Sequence, residues 1–155
     1  MQLAKAGFFY HPTDTSLDNT TCFLCRRSLD GWESGDNAIV EHLKHAPQCG
    51  WAVNIAIELE REGGCDILEN PSAEDLMMAR ATTFEKIWPH ENKRGWTCKS
   101  GKVRWPIPRE TGYANNLPKM AAAGWFYCPT PEDDDFVRCA YCGLGMAGWE
   151  PKDDP

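Results

Sequence analysis

Two cysteines stand two residues apart in Cys22-Phe23-Leu24-Cys25, followed by Glu41-His42 and then Cys49. A C-x2-C turn presents two thiolates to one ion, and zinc favours four nitrogen and sulfur ligands in a tetrahedron. The stretch supplies three cysteines and a histidine. Such a set leaves no open position for a reacting water, so it reads as a closed structural site and not a catalytic one. His42 and His45 lie one helical turn apart, and spacing alone does not choose between them as the fourth ligand. A module folded around one ion has little core, so large aromatics near the metal must supply most of its buried area.

Paired cysteines signify metal more often than disulfide where thiols stay reduced. The stretch from Met1 to Tyr10 carries one lysine and a brief apolar patch before His11-Pro12, which is a poor secretory leader. No run approaches the ~20 apolar residues of a membrane helix. A nuclear or cytoplasmic setting is therefore expected, without membrane attachment. An apolar content of 42% excludes a wholly disordered chain. The net charge of −7 argues against general binding to nucleic-acid backbones and suits a partner that presents a positive group.

An internal repeat runs through the chain. Ala6-Gly7-Phe8-Phe9-Tyr10-His11-Pro12-Thr13 recurs as Ala123-Gly124-Trp125-Phe126-Tyr127-Cys128-Pro129-Thr130. Cys22-x2-Cys25 recurs as Cys139-x2-Cys142, and Gly31-Trp32-Glu33 as Gly148-Trp149-Glu150, all at one offset of 117 residues. Two copies of one small module are expected. In each, the aromatic cluster reads as a short helix end leading into a strand.

Between the copies, Trp51 to Glu62 reads as a helix with Trp51, Ile55 and Leu59 on one face, stopped by Gly63-Gly64. Ser72 is a candidate N-cap for a second helix running through Leu76, Met77 and Ala81 towards Phe84 and ended by Trp88-Pro89. The predicted organisation is a first module over 1–62, a linker over 63–71 and a second module over 72–155, with an irregular insertion at 90–119. His90 to Asn116 holds Lys93, Arg94, Lys99, Lys102, Arg104 and Arg109 against Glu91 and Glu110, interleaved with Trp96, Trp105 and Tyr113. A stacking and phosphate-contact surface is one reading, and a solvated insertion is the favoured one. Removing Val103 to Lys119 would join Lys102 to Met120-Ala121-Ala122-Ala123-Gly124, which parallels the start of the chain, so these residues suggest translated intron. Sequencing the spliced transcript tests that.

The residues quoted resemble the BIR (baculoviral inhibitor-of-apoptosis repeat) family. The first copy matches from Ala6 to Cys49, including Asp36 and Glu41-His42; the second matches from about Ala79 onward, including Thr83-Phe84 and Trp88-Pro89. Together they resemble the tandem-BIR region of fungal survivin-like proteins. The resemblance implies small α+β zinc modules, two BIR-like repeats each with a short three-stranded antiparallel sheet and surrounding helices, and no catalysis. The first copy lacks the family's leading helix and the second stops before its last ligands, so the chain reads as a fragment. The resemblance assigns Cys22, Cys25, His42 and Cys49 to zinc and leaves Cys139 and Cys142 as an incomplete second site. His90, Cys98 and Cys128 have no spacing that completes it. Cys65 reads as a small buried or linker residue, and Asp133-Asp134-Asp135 as a solvated loop.

By composition alone, Asp30, Trp32, Asp36, Glu41 and His45 form a solvated acidic face with one core tryptophan. In BIR domains the surface beside the metal holds a peptide's free amino terminus, with acids on the ammonium and a tryptophan against a small first residue. His45 stands where survivin-like repeats carry histidine, and apoptosis-inhibiting repeats usually carry tryptophan. With Arg27 it is expected to contact a phosphorylated threonine in a histone tail. Trp149 and Asp153 mark a weaker second groove, in which Ala147 replaces the acid equivalent to Asp30. The implied function is that of a survivin-like chromosomal passenger subunit on chromosomes and spindle, bound to a scaffold of the inner-centromere-protein or borealin type. The alternative is an apoptosis inhibitor that captures proteases or their antagonists.

Overall fold

A computed structural model describes residues 2–63, 73–85, 88–91, 97–103, 105–107, 117–150 and 152–155. Strands β1 (Phe8–Tyr10), β2 (Thr20–Cys22) and β3 (Ser28–Leu29) form an antiparallel sheet in that order. Helices α1 (Ala38–His45), α2 (Gly50–Arg61) and α3 (Glu74–Glu85) follow. Strands β4 (Trp88–Glu91) and β5 (Thr97–Val103) pair antiparallel, and α4 (Leu117–Ala122) leads into a second three-stranded sheet. Its strands are β6 (Trp125–Tyr127), β7 (Val137–Cys139) and β8 (Gly145–Met146).

The two three-stranded sheets share one register. Phe8 faces Cys22 and Thr20 faces Leu29 in the first; Trp125 faces Cys139 and Val137 faces Met146 in the second. Backbone conformations correspond as well. Gly7 and Gly124 have φ of 89° and 95°, and Arg26 and Gly143 have φ of 64° and 75°. Gly7 also lacks room for a side chain, since an added Cβ would lie 2.9 Å from Trp51 Nε1.

The sheets differ in what covers them. Phe8 points into the core while Phe9 and Tyr10 stay exposed, so β1 is covered only at its start. In β6 all three residues are buried, because α3 packs on this strand and closes the second face. The helix predicted over 51–62 is α2, and Gly63 ends it with φ of 79°. α2 packs chiefly on α3, so the two sheets are joined by helices with a continuous aromatic seam. Phe23, Trp51 and Trp88 meet pairwise at 5.2 to 5.8 Å between ring centroids, and Trp51 reaches Phe126 at 6.5 Å.

Two expectations for the insertion need correction. The stretch 90–119 is not simply irregular, since β5 and the start of α4 lie within it. Nor is it simply solvated. Trp105 is 9% exposed and packs edge-on against Phe84 and Tyr127, and Leu117 is buried. These apolar side chains are worth about 2 kcal/mol or more each when withdrawn from water, and deleting 103–119 would remove both. Ser72, Cys65 and most of the basic residues lie outside the described residues.

Candidate metal centre and adjoining groove

The sulfur and nitrogen ligand atoms of Cys22, Cys25, His42 and Cys49 all lie within 4.8 Å of one another. Each comes from a different local device. Cys22 ends β2, Cys25 closes the turn after it, His42 lies in α1 and Cys49 is the N-cap residue of α2. Asn37 starts α1 by accepting from the backbone N–H groups of Ile39 and Val40, which sets the rotation that turns His42 inward. The backbone N–H of Leu24 points at Cys22 Sγ from 3.3 Å and that of Cys25 from 3.5 Å.

His42 is fully buried, and its Nδ1 lies 2.8 Å from the Ala6 carbonyl oxygen. A carbonyl oxygen only accepts, so Nδ1 carries a proton and Nε2, 3.3 Å from Cys25 Sγ, is the nitrogen left to ligate a metal. That is how a second partner fixes the tautomer of a metal-ligating histidine. His45 is half exposed, with its Nε2 3.8 Å from Glu41, and stands outside the cluster.

The donor set fits zinc in size and charge. A tetrahedron with Zn–S near 2.3 Å has edges of roughly 3.8 Å, within the observed spread. Hydrogen bonds from Cys22 and Cys49 hold the Cys25 thiol far below its usual range, while those to Cys22 and Cys25, with burial, push Cys49 far above it. Three thiols this close cannot all ionise without a cation. Burial disfavours a charged His42, yet its bonds to Cys22 and Cys25 raise it to about 9. The cluster calls for positive charge, and a divalent ion would supply it.

Beside the cluster lies a groove of about 310 Å³ whose lining includes Asp30, Trp32, Asp36, Glu41 and His45. Trp32 is held from three sides. Its backbone N–H donates to Asp18 Oδ2 at 2.8 Å, and its indole N–H lies 3.2 Å from both Thr20 Oγ1 and the Leu29 carbonyl oxygen. Its ring meets Phe8 edge-on at 5.5 Å. Asp36 accepts from the Glu33 N–H at 2.8 Å, closing the turn between them. Acids dominate this groove, and an ammonium group is the complementary ligand.

Arg27 does not line this groove. It lines an adjoining cavity of about 380 Å³ with Cys25, Gln48, Gly50 and Thr82, and His45 stands on the border of both. Lys44, absent from the expected site residues, lines the groove and lies 3.4 Å from Glu41. Their i,i+3 spacing is the signal that would have found it. Asp18, Thr20 and the Ala6 carbonyl act on the site from a distance in sequence, and no motif marks them.

In the second half, Cys139 is buried and Cys142 exposed in the turn between β7 and β8. Among the described residues no third ligand joins them. Burial pushes the Cys128 thiol up to about 12. The side chains of His90 and Cys98 lie outside the described residues. Trp149 donates its backbone N–H to Asp135 at 2.7 Å, and Glu150 donates to Asp153 at 2.8 Å, matching the bonds around Trp32. Asp135 is therefore not merely part of a solvated loop.

The match with known proteins follows the same two stretches. Residues 1–53 and 98–155 match the family described as "BIR: Inhibitor of Apoptosis domain". The chain belongs to the BIR family. It is 33% identical over 159 residues to the chromosomal passenger complex protein bir1 of Schizosaccharomyces pombe, covering 99% of this chain and 14% of that protein. It is 31% identical over 153 residues to human baculoviral IAP repeat-containing protein 3, covering 99% and 20%. It is 31% identical over 159 residues to death-associated inhibitor of apoptosis 2 of Drosophila melanogaster, covering 99% and 27%. The chain thus spans between about a seventh and a quarter of these relatives. BIR domains bind zinc and recognise proteins and peptides, in keeping with a buried Cys3His cluster beside an acidic groove. No helix among the described residues is long and apolar enough to cross a membrane.

Proposed function

We propose that this chain is a non-catalytic, zinc-stabilised peptide-recognition region of a survivin-like chromosomal passenger subunit, acting in chromosome segregation and cytokinesis. It comprises a first BIR repeat over 1–62, a linker over 63–71 and a second repeat over 72–155. Cys22, Cys25, His42 and Cys49 hold Zn2+, which supplies positive charge and cross-links the first repeat. Cys139 and Cys142 are half of a second site. In the groove, Asp30, Asp36 and Glu41 receive a peptide's terminal ammonium and Trp32 packs on its small first residue. His45 and Arg27 contact a phosphorylated threonine of a histone tail. Trp149 and Asp153 form a second, weaker groove. Its setting is nuclear, on chromosomes and spindle, with a passenger-complex scaffold as the further partner.

The observation that carries this reading is the convergence of Asp30, Trp32, Asp36, Glu41 and His45 on one groove beside the metal cluster. Charge-assisted hydrogen bonds to an ammonium are about twice as strong as neutral ones, so amino-terminal acetylation of the ligand should abolish binding. Calorimetry with phosphorylated, unphosphorylated and acetylated histone amino-terminal peptides tests it. The expected order is tightest for the phosphorylated peptide and no binding for the acetylated one.

A second reading is an inhibitor of apoptosis that captures proteases or their amino-terminal antagonists. The names of relatives such as human baculoviral IAP repeat-containing protein 3 support it. Preference for an Ala-Val-Pro-Ile peptide over the phosphorylated tail would favour this reading over the first.

A further inference from the structure

The cavity next to the acidic groove is walled by elements far apart in sequence. Cys25 and Arg27 come from the cysteine turn, His45 and Gln48 from the α1–α2 connection, and Gly50 from the start of α2. Thr82, on α3, is its lining residue from beyond α2. The approach of α3 is close. A Cβ added at Gly50 would lie 2.7 Å from Thr82 Oγ1 and 2.9 Å from Thr83 Cγ2, so only glycine lets the two helices meet here. The Thr82 hydroxyl already donates to the Ala79 carbonyl oxygen at 2.7 Å. What Thr82 brings to the cavity is shape and neutrality. Arg27, opposite in sequence origin, is exposed and makes no ion pair among the described residues.

We infer that Thr82 is a specificity-determining residue: α3 gives the Arg27–His45 cavity a neutral wall, and this lets the cavity accept a phosphorylated side chain of a peptide anchored in the groove. The inference rests on the reading of the groove as an amino-terminus site. A phosphothreonine carries a charge of about −1.5 to −2, and Arg27 can meet it with two parallel N–H bonds. A carboxylate at position 82 would face that dianion across the cavity, and like charges brought together select against a ligand. An ammonium there would do the opposite. The second half of the chain thereby edits what the first half reads.

The test uses the whole chain and synthetic peptides with a free amino-terminal alanine. One series carries phosphothreonine at each of the second to fifth positions, and its partner series carries threonine. Thr82→Glu should weaken the best phosphorylated peptide by about fivefold, the scale of one partly exposed charge interaction, and leave its unphosphorylated partner unchanged. Thr82→Lys should strengthen the phosphorylated peptide and again spare the other. Opposite signs from two charged substitutions separate charge from damage to α2–α3 packing, which would weaken both ligands in both variants. If the unphosphorylated peptides bind and neither variant alters the phosphate preference, the inference fails and the groove reading stands. If no peptide with a free amino terminus binds, the groove reading fails and the inference with it.

Discussion

The indole N–H of Trp32 has two acceptors at 3.2 Å, whereas that of Trp149 is buried without a partner among the described residues. Val137 accounts for one of the two missing acceptors. It occupies the place of Thr20, opposite Met146 as Thr20 is opposite Leu29, and has no hydroxyl to offer. Val137→Thr is nearly isosteric, and the new hydroxyl would accept from Trp149 and donate to the Met146 carbonyl oxygen. A buried donor left unpaired costs about 1–3 kcal/mol, so recovering the bond should stabilise the protein by about 1 kcal/mol. Denaturant midpoints of the wild type and Val137→Thr check this, and a destabilised variant would show that the lost methyl contacts matter more. Asp18 works on Trp32 from the other side. The Trp32 N–H, foremost, holds its carboxyl below the usual range. A lowered folded pKa gives a contribution fully present above the unfolded value of about 3.9 and lost only as pH falls through the lower folded one. The Trp32 amide resonance should therefore stay fixed between pH 8 and pH 5 and broaden in Asp18→Ala at every pH in that window.

At the scale of elements, α1 and α2 are short helices whose inner ends are tied to the cysteine turn through His42 and Cys49. The metal takes the place of the larger core that so small a module lacks. Apparent zinc binding energies in comparable peptides are about 10–16 kcal/mol, as large as a domain's whole stability of about 5–15 kcal/mol. Chelation should abolish the helical signal of α1 and α2 and expose the aromatic seam of Phe23, Trp51 and Trp88. Circular dichroism and tryptophan emission during titration with a strong chelator check it; retained helix with buried tryptophan would mean that packing alone holds the first half. Much of this was legible in sequence. The cysteine spacing, the 117-residue offset and the 3.6-residue periodicity of α2 are local patterns, and they marked the cysteine ligands, the strand that opens each copy and the helix. The choice of His42 over His45 was not legible from spacing, because it depends on a carbonyl oxygen at Ala6 that only the fold brings near. Trp105 was misjudged for the same reason. It sits among charges in sequence, and its partners Phe84 and Tyr127 lie in distant elements.

At the scale of the molecule, the two sheets are not independent beads. Beyond the aromatic seam, Glu58 on α2 meets Arg138 on β7 in a two-point ion pair, with Nε to Oε1 at 2.7 Å and a second nitrogen to Oε2 at 3.0 Å. Arg138 also lies over the Phe126 ring at 5.3 Å. Burial raises the Glu58 carboxyl above its usual range despite the attraction of Arg138, so desolvation outweighs Coulomb energy here. A pair of this kind fixes how α2 and the second sheet meet more than it adds stability. Removing one partner leaves a charge in a place that is nine-tenths closed to water. Arg138→Met should therefore cost about 2–3 kcal/mol, discounted from the fully buried range because Arg138 is a third exposed. Adding Glu58→Met should restore most of that loss, since the double variant buries no unpaired charge and keeps the volume. Denaturation of both single variants and the double one closes the cycle. Additive losses would mean that the two residues act separately and that the aromatic seam alone docks the halves.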